Sequence, residues 1–388
     1  MKKKMKIAIF SPNLSRKCIG GAEIYALFLA AVLSENNEIT IFTCYNPSHN
    51  YDINKVYDKY GSPHFNTVFV KYIPTGHEHI KELVDLLLEP MRHKISKEYD
   101  LFINATQNRL KAPSKLPSIH IIHFPDNNLD KFFPRFIAKR LNRRYADSYS
   151  LYLPNSQFTQ YYFKKYWGKE SKVLYPPIIM QPITDEEFSE KENVILAVDR
   201  LVRDKNILEM INSFITLCNE YKNDYKFVII GASNPKQMDY YDQILKTISG
   251  KPIELYSDLD LKELQSWYKR AKIFWHAKGY GVDEDDPFHM EHFGMTTVEA
   301  MINGCVPVVI NKAGQKEIIE NKEQGFKWDT LDELINYTKR LINDDNQRLE
   351  MAKASRERGK QFMLPVFSKK ANQIVEELKV CYENKNNS

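Results

Sequence analysis

Glu291-His-Phe-Gly-Met-Thr-Thr-Val-Glu299, followed by Ala300-Met-Ile-Asn-Gly304 and the apolar run Cys305 to Ile310, decides how the rest of the chain is read. An apolar run, Ile273 to Ala277, and a loop rich in Gly and Asp precede it, so the two glutamates bracket a loop-to-helix transition that follows a strand. Ligands of α/β proteins sit at such points. Gly294 relieves crowding at the turn, and Thr296 and Thr297 can bring hydroxyls near the start of the helix. The free backbone amides there favour an anion, and a phosphate fits. The competing reading makes Glu299 an acid in a first helical turn, favoured by the helix dipole, and Glu291 a solvated loop residue.

Working outward, Val194 to Val198 is a fully apolar strand leading into Asp199-Arg200-Leu-Val-Arg-Asp-Lys205-Asn206 and a helix from Ile207 to about Tyr221. Basic residues such as Arg200 and Lys205, between a buried strand and a helix start, reinforce an anion site; surface charge is the alternative. Phe227 to Gly231 reads as the next strand. Leu261 to Lys269, Thr330 to Ile342, Gln347 to Gln361 and Phe367 to Cys381 read as helices. The first half alternates in the same way. Its strands are Ile7 to Ser11, Ile39 to Thr43, Thr67 to Ile73, Leu101 to Ala105, Ser118 to His123 and Leu151 to Asn155. Its helices are Ala22 to Leu33, after a loop with Gly20 and Gly21, then His79 to Leu88 and one opening at Thr159. Such alternation predicts parallel sheets covered by helices on both faces. No full GxGxxG is present, which disfavours a nicotinamide or flavin site. His120 and His123 end a strand, where a histidine either reaches a ligand or is satisfied structurally.

A chain of 388 residues suggests two domains. The proline pair Pro176-Pro177 and the acidic run Thr184 to Glu192 read as a linker. We therefore expect domains at 1–180 and 190–365, with a helix and polar tail at 366–388. The five cysteines form an odd set without a CxxC pair, so neither a disulfide framework nor a zinc site is indicated, and a reducing cytoplasm fits. The first apolar run, Ile7 to Phe10, is too short for a signal peptide or a membrane span.

The net charge of +5 conceals an asymmetry. Residues 1–180 hold 26 Lys and Arg against 15 Asp and Glu, while the remainder holds 29 against 35. The basic half suggests an anionic partner. Lys131 to Tyr145, with six bases and no acid, reads as a basic amphipathic helix for an anionic membrane surface, or as a peripheral helix packed on its own sheet. The run Asp283 to Asp286 has hard-cation chemistry but no EF-hand spacing and reads as a solvated loop. No recognised nucleic-acid motif is present, so no nucleic-acid partner is expected.

Taken together, these motifs resemble the retaining glycosyltransferase family 4, the group 1 glycosyl transferases. That family has the GT-B fold of two Rossmann-like domains with parallel sheets facing across a cleft. Glu291 to Met301, with the apolar strand after Gly304, looks like its E-x7-E signature, and Asp199 to Asn206 is similar to its G-R-L-x-x-x-K-N segment. Asn155 to Thr159 with Val173 to Ile178 resembles the end of its first domain, and Gly20-Gly21-Ala-Glu23 its glycine loop. His123 stands where such enzymes carry a histidine beside the donor sugar.

The resemblance implies that Arg200 and Lys205 bind the diphosphate of a sugar nucleotide and neutralise the leaving group, aided by the amides of Gly294, Met295, Thr296 and Thr297. It assigns Glu299 to the ribose hydroxyls and Glu291 to the transferred sugar. His123 would contact that sugar, and Gly20, Gly21 and Asn155 would lie with the substrates. It implies transfer with retention, by front-face attack, without a metal or a cofactor beyond the donor. The partners implied are a nucleotide-sugar donor, GDP-mannose or a UDP-hexose, and a glycan or lipid-linked acceptor. The location implied is cytoplasmic and peripheral to the membrane, and the C-terminal helix is expected to return to the first domain. Another GT-B enzyme, such as an epimerase, or a non-catalytic nucleotide-sugar or glycan-binding module are the alternatives. One departure stands out: Asp199 replaces the family's usual glycine and puts a carboxylate beside a phosphate site.

Overall fold

A computed structural model describes residues 4–12, 20–43, 68–72, 89–106, 110–125, 145–232, 237–320 and 322–386. They divide into two compact units, Met1–Pro177 with Leu364–Ser388, and Ile178–Met363. The expected helix at 79–88 and nearly all of the basic element Lys131 to Tyr145 lie outside the described residues; of that element only Tyr145 is described.

The first unit is built on one parallel sheet of β1 (Lys6–Phe10), β2 (Glu38–Thr43), β3 (Val68–Tyr72), β4 (Leu101–Asn104), β5 (Ser118–Ile122) and β6 (Leu151–Pro154). The strands lie in the order β3-β2-β1-β4-β5-β6. Ile7, Ala8, Ile9 and Phe10 of β1 are fully buried, as a parallel strand covered on both faces requires. The Gly21–Ser34 helix packs from Tyr25 to Ser34 into the core. Against it lies the last helix, Leu364–Asn386, with Phe367 edge-on to Tyr25 at 5.4 Å. The C-terminal helix therefore returns to the first unit, as expected. An exposed ion pair, Lys172 with Glu377 at 2.8 Å, adds to this contact.

The second unit repeats the plan with β7 (Glu192–Val198), β8 (Lys226–Gly231), β9 (Ile253–Ser257), β10 (Ala271–His276), β11 (Val306–Ile310) and β12 (Phe326–Trp328). Its order, β12-β11-β10-β7-β8-β9, is the same six-strand order met from the other edge. Phe214, Phe227, Trp275 and Trp328 fill its core, and the Trp275 indole donates to Thr338 Oγ1 at 3.0 Å. In both sheets the strand order reverses beside the first strand, between β1 and β4 and between β7 and β10. Ligands of open α/β sheets bind beyond the carboxyl ends of strands at such a reversal.

Several elements depart from the sequence reading. The acidic run at 184–192 is folded rather than a free linker: Glu186–Glu190 is a 3-10 turn, Glu192 starts β7, and the whole run belongs to the second unit. Its neighbour Ile183 and its own Phe188 lie so close to Gly304 that a Cβ there would come within 2.5 and 2.7 Å of them. Four elements had no strong apolar signature: the Glu89–Glu98 and Met238–Ile248 helices, β9 and β12. β9 is an edge strand whose middle residues are only half-buried, so a fully apolar run is not required of it.

Candidate active site

The reversal in the second sheet places the carboxyl ends of β7 and β10 side by side, and each releases a charged or titratable residue. Asp199 follows β7, and His276 is the last residue of β10. Lys205 returns to the same point through a 3-10 turn, Arg203–Lys205, that ends in a left-handed Asn206. Asn206 is held there by its side-chain amide, which donates to the carbonyls of Ala277 and Tyr280 at 3.0 and 3.2 Å.

The Lys205 ammonium lies 2.5 Å from Asp199 Oδ1 and 2.8 Å from Glu291 Oε2, with the lysine side chain 8% exposed. Burial opposes its charge, but the two carboxylates prevail and hold its pKa above the usual lysine value. Burial likewise opposes ionisation of Glu291, and Lys205 holds that carboxyl well below the usual range. The expected conflict at Asp199 is thus resolved by pairing. His276 Nε2 faces both carboxylates at 3.6 to 3.7 Å, too far for a hydrogen bond, and Lys278 Nζ lies 3.9 Å from Glu291.

Asp199, His276 and Glu291 are also the only three groups among the described residues with the spacing of a metal site, their ligand atoms lying within 4.8 Å of one another. The Lys205 ammonium already rests on both carboxylates, so a cation would have to displace it. Arg200 is exposed, next to Asp199, and its guanidinium has no ion pair among the described residues.

Glu291 leads into the turn that starts the Met295–Ile302 helix. Gly294 is the N-cap at φ 117°, a left-handed conformation that favours glycine. A Cβ there would lie 2.4 Å from the Gln315 amide nitrogen. Gly314 is pressed equally hard from behind, where a Cβ would meet the Phe293 Cα at 2.5 Å, and its amide donates to the Glu291 carbonyl at 2.9 Å. This packing fixes the turn that aims the helix start. The amides of Met295 and Thr296 are first in the helix and have no intrahelical acceptor, whereas the Thr297 amide is already bonded to the Gly294 carbonyl at 3.1 Å. Thr297 is fully buried, with its hydroxyl unpartnered, so of the two threonines only Thr296 is partly exposed.

Glu299 is the fifth residue of this helix, past the first turn, so the dipole reading does not account for it. It is largely buried and accepts a hydrogen bond from the Tyr268 hydroxyl at 3.0 Å. Burial pushes its pKa up to about 7, against the Tyr268 hydrogen bond. Asp199, Lys205, Glu291, Gly294, Met295, Thr296 and Glu299 thus gather at one end of the second sheet. The sequence did not single out His276, Lys278, Tyr268 or Gln315. Only His276 had a legible signal, as the last residue of an apolar strand.

The other candidates are in the first unit. His123 follows β5 and is buried, edge-on to Tyr25 at 5.7 Å, with its Nε2 unpartnered. Burial lowers its pKa to about 4, opposed by a hydrogen bond to the Ala105 carbonyl. His120 is instead satisfied structurally, its Nε2 bonded to the Thr106 carbonyl at 3.0 Å. Asn155 is buried after β6 and accepts from the Ser156 hydroxyl at 3.2 Å. Gly20 is the N-cap of the first helix at an ordinary φ of −94°, its amide bonded to Glu23 at 3.1 Å, and Gly21 follows it.

Residues 182–358 match the family model "Glycosyl transferases group 1". A GDP-Man:Man(3)GlcNAc(2)-PP-Dol alpha-1,2-mannosyltransferase of Dictyostelium discoideum is 23% identical over 56% of this chain and 44% of its own length. The chain spans about half the length of that relative. An alpha-1,3/1,6-mannosyltransferase ALG2 of Rhizomucor pusillus is 25% identical over 84% of this chain and 80% of its own. Among solved structures, HepE of Anabaena in complex with UDP and glucose superposes with a TM-score of 0.71 at 18% identity, covering 96% of this chain and 99% of that one. Among the described residues, no helix is long and apolar enough to cross a membrane. The fold is that of the GT-B glycosyltransferases, and the second unit is similar in sequence to the group 1 glycosyl transferases through residues 182–358.

Proposed function

We propose that the protein is a retaining, metal-independent hexosyltransferase that moves a sugar from GDP-mannose or a UDP-hexose to a lipid-linked glycan or a related acceptor. The observation that carries this reading is the meeting of Lys205, Glu291 and the Met295–Ile302 helix start at the strand-order reversal of the second sheet. Cationic side chains and free helix amides, the donors that an anion needs, lie there beside two carboxylates. In such a site the diphosphate would take the amides of Met295 and Thr296, with Arg200 and Lys205 as counter-charges. Glu291 and Glu299 would accept hydrogen bonds from neutral hydroxyls.

Charge grows on the leaving diphosphate as the glycosidic bond breaks, and fixed cations at that point lower the barrier. Lys205 is held charged in advance by Asp199 and Glu291, so it needs no proton uptake to act. Support for the donor and acceptor classes comes from the relatives, whose names specify GDP-mannose and a dolichyl-diphosphate glycan, and from the UDP and glucose bound by HepE. The assignments of His123, Gly20, Gly21 and Asn155 to substrate contacts, and of Lys131 to Tyr145 to an anionic membrane surface, are part of the same proposal.

The test is a screen of UDP- and GDP-sugars by thermal shift, followed by transfer assays on a lipid-linked acceptor with and without EDTA, reading the product anomer by NMR. Stabilisation by one sugar nucleotide and EDTA-resistant transfer with the donor's anomeric configuration are expected. Inversion, or loss of activity in EDTA that a divalent cation restores, would overturn the mechanism, and absence of any sugar-nucleotide binding would overturn the function.

A further inference from the structure

Glu299 is bound by the second unit in an unequal way. One carboxylate oxygen, Oε2, accepts from the Tyr268 hydroxyl at 3.0 Å, and no other hydrogen bond reaches this carboxylate among the described residues. Tyr268 is fully buried at the end of the Leu261–Arg270 helix, so its phenol has one direction in which to point.

The two helices that carry this pair are fastened together at their carboxyl ends. The buried Lys191 ammonium donates among the carbonyls of Tyr268 (3.3 Å), Lys269 (3.1 Å) and Ala271 (2.6 Å), which close the Leu261–Arg270 helix. It also reaches the Asn303 carbonyl at 2.7 Å, at the C-cap of the helix that carries Glu299. A cation among helix C-terminal carbonyls is stabilising, and here one cation serves two helices. The thiol of Cys305 adds a contact to the Tyr268 carbonyl at 3.2 Å.

We propose that Tyr268, set in place by Lys191, is a positioning residue for nucleotide recognition: it holds one oxygen of Glu299 and turns the other to the ribose 2′-hydroxyl. This rests on the assignment of Glu299 to the ribose. A carboxylate held on one side loses less freedom on binding and discriminates more sharply against a sugar lacking the hydroxyl, because the buried acceptor is then left unpaired. The phenol also stabilises the ionised form of Glu299, which burial disfavours.

The experiment is calorimetric binding of UDP, GDP and their 2′-deoxy forms to the full chain and to Tyr268→Phe, Glu299→Gln and the double variant, from pH 5.5 to 8.5. For the preferred base, wild type is expected to favour the ribonucleotide at least tenfold. Tyr268→Phe should lose about tenfold affinity for the ribonucleotide and little for the deoxy form, and Tyr268→Phe should add nothing in the Glu299→Gln background. Its acid limb of binding should move to higher pH, since loss of the phenol lets the Glu299 pKa rise. In turnover, KM for the sugar nucleotide should rise with kcat within twofold.

Full discrimination and an unmoved pH profile in Tyr268→Phe, with an unchanged melting temperature, would overturn the inference while leaving the ribose assignment standing. A wild type that binds the ribo and deoxy forms equally would remove that assignment as well. Glu299→Gln gives a second reading independent of the tyrosine variant's folding: the acid limb should become the same for the ribo and deoxy forms, as the shared phosphate requires, and a difference that persists counts against the proposal.

Discussion

At the end of β4 and the middle of β5 in the first unit, Asn104, His120, Tyr145 and Tyr149 form a buried neutral network. At the ends of β7 and β10 in the second, Asp199, Lys205, Glu291 and Lys278 form a charged one. The two sheets share a strand order, so topology does not explain the contrast. In the neutral network the amide of Asn104 donates to the Tyr149 hydroxyl at 3.0 Å, and that hydroxyl donates to the Leu110 carbonyl. The Tyr145 hydroxyl donates to His120 Nδ1 at 3.2 Å, and the opposite ring nitrogen bonds the Thr106 carbonyl. Each partner is satisfied within the unit, and the network holds loops.

The charged network leaves capacity unused. Arg200 has no ion pair among the described residues, and Glu299 is held on one side only. Burying charges is costly, and an ion pair is weak evidence of stabilisation by itself. Under the proposed function, an anionic ligand uses this charged cluster at the sheet reversal.

The comparison can be broken first at Lys205. Its replacement by Ala leaves Asp199 and Glu291 facing each other with only the more distant Lys278 as a cation, a loss of about 3–5 kcal/mol in urea unfolding at pH 7. Part of that loss should return at pH 5 as a carboxyl is protonated, and transfer activity should fall at least about 100-fold. A destabilisation below about 1 kcal/mol would show that the cluster is not coupled.

Next, Glu299 in the second unit and the buried histidines of the first should respond to pH in opposite senses. The raised pKa of Glu299, about 7 when folded, gives stability that is complete below the ordinary carboxyl range near 4.5 and is lost as pH rises through about 7. Burial depresses His120 to about 3 and His123 to about 4. Their contribution is complete above about 6.5 and is lost as pH falls toward those values. Glu299→Gln should therefore remove a decline on the order of 2 kcal/mol between pH 4.5 and 7, without changing the acid-side loss that His120 and His123 produce. Urea titrations at four or five pH values measure both slopes, and a Glu299→Gln slope equal to wild type would contradict the burial argument.

A sharper and smaller test is Tyr149→Phe in the neutral network. It should cost about 1–2 kcal/mol through loss of the hydrogen bonds that its hydroxyl makes with the Asn104 amide and the Leu110 carbonyl, with turnover unchanged. A large loss of turnover would mean that the first network is also functional. Smallest of all, Lys172→Ala at the exposed pair with Glu377 should shift stability by less than about 0.5 kcal/mol, because packing of Phe367 on Tyr25, rather than the ion pair, holds the last helix. Detachment of that helix, read by limited proteolysis, would reverse this ranking.

Continuous apolar runs made β1, β7, β10 and β11 legible in the sequence, since a parallel strand buried on both faces admits little else. The same logic hid β9 and β12 at the sheet edges, and the Met238–Ile248 helix, where only Tyr240 and Ile244 are buried. The 184–192 run was misleading because most of its polar residues face outward while Phe188, the adjoining Ile183 and the Lys191 side chain pack inward. The motif from Glu291 to Glu299 announced a loop, a helix start and two acids, because those features are local and follow from spacing.

The sequence by itself therefore determined the alternation of strands and helices, the helix start at Gly294 and the residue types placed there. What it could not decide was pairing across distance. Lys205 meets Glu291 from 86 residues away, and Tyr268 meets Glu299 from 31. Only the tertiary structure brings β7 beside β10, and burial then sets which acid stays ionised: Glu291 beside a buried ammonium, and Glu299 against a phenol with its pKa raised. Hydrophobic periodicity is a local property of the chain, but the field around a carboxylate is set by everything folded against it.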